Sequence, residues 1–274
     1  MLIQVDVTTM SGSVLSLPLK DVEAGIIVQE IKGLDPVKAT LVSSSFAGQD
    51  GEQFYSSRRE ARNLVMTLGL APDYVTDSVQ DLRRRVYDYL MPKKQVLLTF
   101  TMDDGLNVNI LGIVESLETP LFSREPAIDV SIMCYDPDFV DPDVVSLTGS
   151  STNEITEITV EYDGTVETGV QIEMDINQTL DQFTIYHRAP DGSTRTLTFV
   201  NPMVNGEVIK IDTRPGTKQA TSTLTGTTTS VLYGISPQSN WLQLEPGTNY
   251  LRFYVNKVTP VTWSLDYFTR YGGL

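Results

Sequence analysis

One cysteine, one histidine and two tryptophans are all that the 274 residues contain of those types. A single cysteine excludes an internal disulfide, and folding in a reducing compartment is the simplest reading. One histidine and one cysteine cannot supply a tetrahedral N/S zinc site. Basic residues are scarce too: 20 Lys and Arg stand against 35 Asp and Glu, a formal net charge of −15. A nucleic-acid binder uses lysine and arginine to displace counterions from phosphates, and this balance opposes that class. No apolar run approaches the ~20 residues that cross a bilayer, so no membrane insertion is expected. The first residues lack a basic n-region, and no signal peptide is read there. No P-loop, no G-x-G-x-x-G and no G-x-S-x-G elbow occurs, so no cofactor and no catalytic machinery are expected.

What the chain does have is β patterning. Short alternating runs are punctuated by Asp-Gly or Asn-Gly at Asp50, Asp104, Asp163, Asp191 and Asn205, pairs suited to tight hairpin turns. "QVLLTFTMDDGLNVNILGIV" and "RTLTFVNPMVNGEVIKID" read as two such hairpins. One segment differs. In "TDSVQDLRRRVYDYLMP" the residues Val79, Leu82, Val86 and Leu90 fall on one helical face. This predicts a helix near 77–91, capped by Thr76 or Asp77 and stopped by Pro92. From residue 142 onward, nine strand-like runs and no helix predict an antiparallel sandwich or barrel. The fold class is therefore mainly β, with an N-terminal domain over 1–135, a connector at 136–141 and a C-terminal domain over 142–274. Both parts are acidic: 12 basic and 18 acidic residues precede Asp136, and 8 and 17 follow from it. The Thr-rich stretch 217–231 is expected to be an exposed hairpin or loop.

Several residues invite a chemical reading. Asp136, Asp138, Asp141 and Asp143 crowd one segment, "YDPDFVDPD". Their spacing lacks the glycine and distal glutamate of a calcium loop, and two prolines stiffen the backbone, so a solvated connector is expected and no metal. Cys134 shares a strand face with Ile128, Val130 and Ile132, which suits a small buried hydrophobe. His187 shares a face with Phe183 and Ile185 near a strand end and is read as structural. Glu173 and Asp175 sit at alternate outward positions, which explains them without a glycosidase pair. Trp263 alternates in phase with Val261, Leu265 and Tyr267 and reads as core. Trp241 is out of phase with Leu242 and Leu244, and is the candidate for a partner or sugar contact. Arg83, Arg84 and Arg85 on the helix, with Lys93 and Lys94 beyond it, form a local basic patch that an acidic neighbouring copy would meet.

The order of several signals carries a resemblance. "IKGL" is followed by an extended strand, a loop with an Asp-Gly step and the arginine-bearing "SSRREARNL". Next come the capped helix and "CYDPDF", and near the end "EPGTNYLRFYV". In this order the chain resembles the distal tail proteins (Dit) of long-tailed siphophages over essentially its whole length. The resemblance implies a split-barrel-like N-terminal domain that builds a hexameric ring and a galectin-like C-terminal β-sandwich. It also implies that "DPDF" marks the passage between them, and that the basic patch lies at the ring interface. The implied role is structural and non-enzymatic: a hub joining the tail tube protein to the baseplate or tail tip. The outer sandwich would serve as a docking platform for tip, tail-associated lysin or receptor-binding proteins. DNA would pass through the lumen without specific binding. The protein would be made in the bacterial host cytoplasm and sit at the distal end of the virion tail. The other reading, suggested by Trp241 and the sandwich, is a carbohydrate-binding module of a phage host-recognition apparatus.

Overall fold

The computed structural model describes residues 1–19, 21, 24–48, 50–73, 75–120, 125–154 and 156–274. They fall into two units, Met1–Pro142 with Tyr271–Leu274, and Asp143–Arg270. The first unit holds β1 (Leu2–Thr9), β2 (Val14–Pro18), β3 (Ile26–Lys32), β4 (Ala39–Ser44), β5 (Gln53–Arg59) and β6 (Arg62–Leu70). Helix α1 (Val79–Leu90), β7 (Gln95–Met102), β8 (Asn107–Glu118) and β9 (Ala127–Cys134) follow, and β10 (Phe139–Ser151) runs on into the second unit.

Alternation drives this unit. Val5 and Val7, then Val96, Leu98 and Phe100, then Ile128, Val130, Ile132 and Cys134 point inward from their strands and are buried. Antiparallel pairing runs β2-β1-β7-β8-β9-β6-β3. β8 serves both neighbours, giving Asn107–Ile113 to β7 and Ile113–Glu118 to β9. The terminal strands β2 and β3 are not hydrogen-bonded to each other, so the barrel is split. Leu82, Val86 and Leu90 of α1 enter the same core.

The helix starts one residue later than expected for its cap. Thr76 and Asp77 turn back on the Asp73 carbonyl (2.9 and 2.7 Å). Ser78 caps instead: its hydroxyl accepts the Asp81 N–H (3.2 Å) while the Asp81 carboxylate accepts the Ser78 N–H (3.1 Å). Ser78, not among the expected caps, has a carboxylate three residues on in Asp81, which closes a reciprocal capping box. Met91 is extended ahead of Pro92, as a pre-proline residue prefers. With Leu82 3% exposed beneath the helix, Leu82→Ala is expected to cost roughly 2–5 kcal/mol, measured by urea unfolding followed by circular dichroism.

The second unit holds β11 (Ile158–Tyr162), β12 (Thr168–Ile176), β13 (Leu180–Arg188), β14 (Thr194–Met203) and β15 (Glu207–Asp212). It continues with β16 (Gln219–Leu224), β17 (Thr227–Ser230), β18 (Gln243–Leu244), β19 (Gly247–Val255) and β20 (Val261–Tyr271). One sheet runs β17-β16-β15-β12-β20-β10, with β18 beside β12, and the other runs β11-β19-β13-β14. Their inner faces make one core, in which Ile172, Met174, Ile209 and Leu265 meet Phe183, Ile185, Leu197 and Phe253. Trp263 belongs to it, stacked on Phe253 at 4.1 Å between centroids. This is the antiparallel sandwich expected from the strand spacing.

Four local readings change, and a fifth, the Thr-rich hairpin, is found as expected. Asn205–Gly206 does not close a hairpin, because β14 and β15 lie in different sheets and the chain crosses there. Asp163–Gly164 is likewise a crossing, between β11 and β12; Gly164 is required because a Cβ would sit 2.2 Å from the Tyr162 hydroxyl. Leu232–Gly234, expected within a strand, is a 3-10 turn. The Thr-rich stretch is the hairpin β16–β17 with a two-residue turn at Thr225–Gly226, and Ala220 and Ser222 are buried in it. The stretch 136–141 lies in the first unit rather than standing as a solvated connector, because Asp138 and Phe139 are buried there.

Candidate functional site

The sequence signals of the first unit converge on one side chain. Arg62 opens β6, is 1% exposed and spreads its guanidinium over backbone carbonyls. Nε donates to Pro137 O (2.7 Å), Nη1 to Asp35 O (2.7 Å) and Gly33 O, and Nη2 to Gly272 O (2.6 Å). The guanidinium also lies 4.4 Å from the ring centroid of Phe139, which packs edge-on to Phe100 at 5.5 Å. Gly33 approaches so closely (φ +90°) that a Cβ would lie 2.2 Å from Asn63 O. Arg59 donates to the buried carboxylate of Asp138. "IKGL", the arginine strand and "DPDF" are therefore three parts of one polar clamp. The aspartate cluster is an anchor; among the described residues no group of His, Cys, Asp and Glu is arranged to hold a metal. Burial pushes the Cys134 thiol up to about 11, far from the thiolate that nucleophilic chemistry needs.

The "PGTNYLRF" run has a comparable centre. Asn249 is fully buried; its amide donates to Glu245 O (2.7 Å) and Gly247 O (2.9 Å) and its Oδ1 accepts the Glu245 N–H (3.1 Å). Oδ1 also lies 2.9 Å from His187 Nε2, and since that oxygen only accepts, Nε2 carries the proton. Nδ1 is buried without a hydrogen-bond partner. Burial lowers the His187 pKa below its ordinary value. The histidine is a turn support.

The basic residues expected at an interface point in several directions. Successive helical positions splay by about 100°, so Arg83, Arg84 and Arg85 face different ways. Arg83 donates to Pro120 O (3.3 Å), and Arg84 lies 3.8 Å from Asp81. Arg85 and Lys93 are exposed, and Lys94 donates to the Asp88 carbonyl near the helix end. Trp241 is half-buried against the second core, and the Lys218 ammonium lies 5.5 Å from its ring centroid.

A different surface stands out. β4 and β5 form a two-stranded sheet of their own. Leu41 is 66% and Phe54 59% exposed, and Val42, Phe46 and Tyr55 are exposed beside them. Isolated two-stranded hairpins are marginal in water, and an apolar one asks for a neighbour. "TLVSSSFAGQDGEQFYSSRR" carries the signal in its apolar residues on both strands, but alternation alone does not tell a core-facing side chain from one awaiting a partner.

Residues 163–271 match the family model described as siphovirus-type tail component, C-terminal domain. Among solved structures, that of SPP1 Dit, described as a paradigm of the hub adsorption apparatus in phages infecting Gram-positive bacteria, is 18% identical to this chain. That match covers 97% of this chain and 98% of the other, at a TM-score of 0.66, a likeness of fold. The phage P2 baseplate in its activated conformation matches at 10% identity over 97% and 98% of the two chains, with a TM-score of 0.43, too slight to carry weight. No curated protein sequence matches.

Proposed function

We propose, from the match of residues 163–271 to the siphovirus-type tail component model, that the protein is the structural hub of a phage tail tip. The first unit builds a hexameric ring that links the tail tube protein to the baseplate or tip. The second unit is the platform on which tip, lysin or receptor-binding proteins dock. The role is one of assembly rather than catalysis, and its place is the distal end of the virion tail.

The observation that carries this reading is the β4–β5 hairpin, a two-stranded sheet with exposed apolar side chains that pairs with no other strand among the described residues. A heterologous contact of this kind generates a ring when its rotation closes. Obligate interfaces bury more than about 2,000 Å², and a projecting apolar hairpin seated on the next copy supplies part of that. The exposed Arg85 and Lys93 add register against acidic neighbours. A net charge of −15 favours passage of DNA without adhesion.

Negative-stain microscopy and mass photometry of the purified protein, alone and with its tube protein, test this reading. Six-fold rings are expected for the natural sequence. The double variant Leu41→Asp, Phe54→Asp is expected to stay monomeric with an unchanged melting curve, since both side chains lie outside the core. A natural chain that remains solitary even beside the tube protein, or a double variant that still forms rings, refutes it.

A further inference from the structure

We propose that the outer face of the four-stranded sheet in the second unit binds a sugar unit carrying a phosphate or carboxylate group. β13, β14 and β19 present aligned rows there. Thr196, Tyr186 and Arg252 stand side by side across the three strands, with Thr194, Arg188 and Tyr250 in the neighbouring row. Between them is a depression of about 410 Å³ whose lining includes these six residues. That volume falls within the range of small-molecule sites, roughly 300–1,000 Å³, and its concavity suits a small ligand better than a flat protein partner.

Charge identifies the ligand's anchor. Arg188 is neutralised by Glu157 (3.1 Å), and Arg195 by Glu245. Arg252 has no carboxylate within salt-bridge distance among the described residues, although acids outnumber bases 35 to 20 in this chain. Its Nε is buried without a hydrogen-bond partner. The guanidinium is held over Tyr186 (5.1 Å) and Tyr254 (5.2 Å). A cation fixed between rings, with donors unspent, is preorganised for the two oxygens of a phosphate or carboxylate. The surroundings select a sugar rather than a bare anion: Tyr186 is exposed at the site, Tyr250 lies in the neighbouring row with the Arg188 guanidinium 3.9 Å from its ring centroid, and the Thr194 and Thr196 hydroxyls offer partners to ring hydroxyls.

Titration of the full-length protein with glucose 1-phosphate, glucuronate, glucose and inorganic phosphate, followed by tyrosine-ring NMR shifts, tests the site. Saturable binding of at least one charged sugar is expected, with glucose and inorganic phosphate weaker. Arg252→Gln is expected to weaken the charged sugar about tenfold, the scale of one charge-assisted hydrogen bond. Glu157→Gln, an exposed substitution that releases Arg188, is expected to tighten it. Absence of saturable binding, equal affinity for inorganic phosphate, or affinity unchanged in both variants overturns the assignment. Ring formation does not enter this experiment, so it succeeds or fails apart from the hub reading.

Discussion

Replacing Arg62 with methionine is expected to cost the first unit about 4 kcal/mol, because four carbonyl oxygens, the Gly272 one buried and three partly buried, lose their donor at roughly 1–3 kcal/mol each. Methionine preserves much of the stem volume, so the loss reports the hydrogen bonds and the ring contact with Phe139 rather than a cavity. Lysine keeps the charge but not the fork, and is expected to recover little, since one ammonium cannot reach carbonyls on Gly33, Asp35, Pro137 and Gly272 together. Both tryptophans, Trp241 and Trp263, belong to the second unit, so indole fluorescence will not follow this transition. Urea unfolding by far-ultraviolet circular dichroism will. A methionine variant within about 1 kcal/mol of the natural protein would show that water replaces the guanidinium without penalty.

The second large effect is expected at Asn249. Alanine there strips partners from the Glu245 N–H and from the carbonyls of Glu245 and Gly247, and leaves His187 Nε2 unmatched. A loss of about 3 kcal/mol follows from leaving the buried His187 Nε2 and three partly buried backbone groups unsatisfied. The same site makes the second unit sensitive to acid. In the unfolded chain His187 takes up a proton as pH falls below its ordinary 6.5, whereas burial lowers that value in the fold. The unfolded state therefore binds more protons between the two values. Stability from this group is complete above about pH 6.5 and declines as pH drops through the window beneath it. Indole fluorescence of Trp263 during urea unfolding at about pH 7.5 and pH 5.5 measures it. Equal midpoints at both, or an alanine variant as stable as the natural chain, would remove Asn249 and His187 from the supports of this unit.

The sequence was legible where burial obeys a period. The helix face of Leu82, Val86 and Leu90, the inward row ending at Cys134, and the core place of Trp263 all follow from alternation or helical spacing. Turn chemistry was legible only in part. Asn-Gly signals a reversal, but not whether the next strand pairs with the last one or crosses to the facing sheet, which depends on long-range pairing. Thr76 or Asp77 reads as the cap, and the pairing of Ser78 with Asp81 that sets the true start was missed. The buried role of Arg62 was hidden for a different reason: its acceptors are backbone carbonyls from three distant stretches, and backbone atoms leave no trace in residue identity. Arg252 was concealed likewise, since its two aromatic neighbours come from β13 and from its own strand.

Residues 271–274 return to the first unit after the second is complete, and the Gly272 carbonyl takes one of the Arg62 donors. The sandwich is thus an insertion rather than an appendage, tethered by both of its ends. A fragment stopping at residue 142 would delete more than the sandwich, because it would also discard the strand end that plugs the clamp. Swapping one sandwich for another calls for splicing at two sites, near 142 and 270, and such an exchange leaves the parent unit's polar anchor whole.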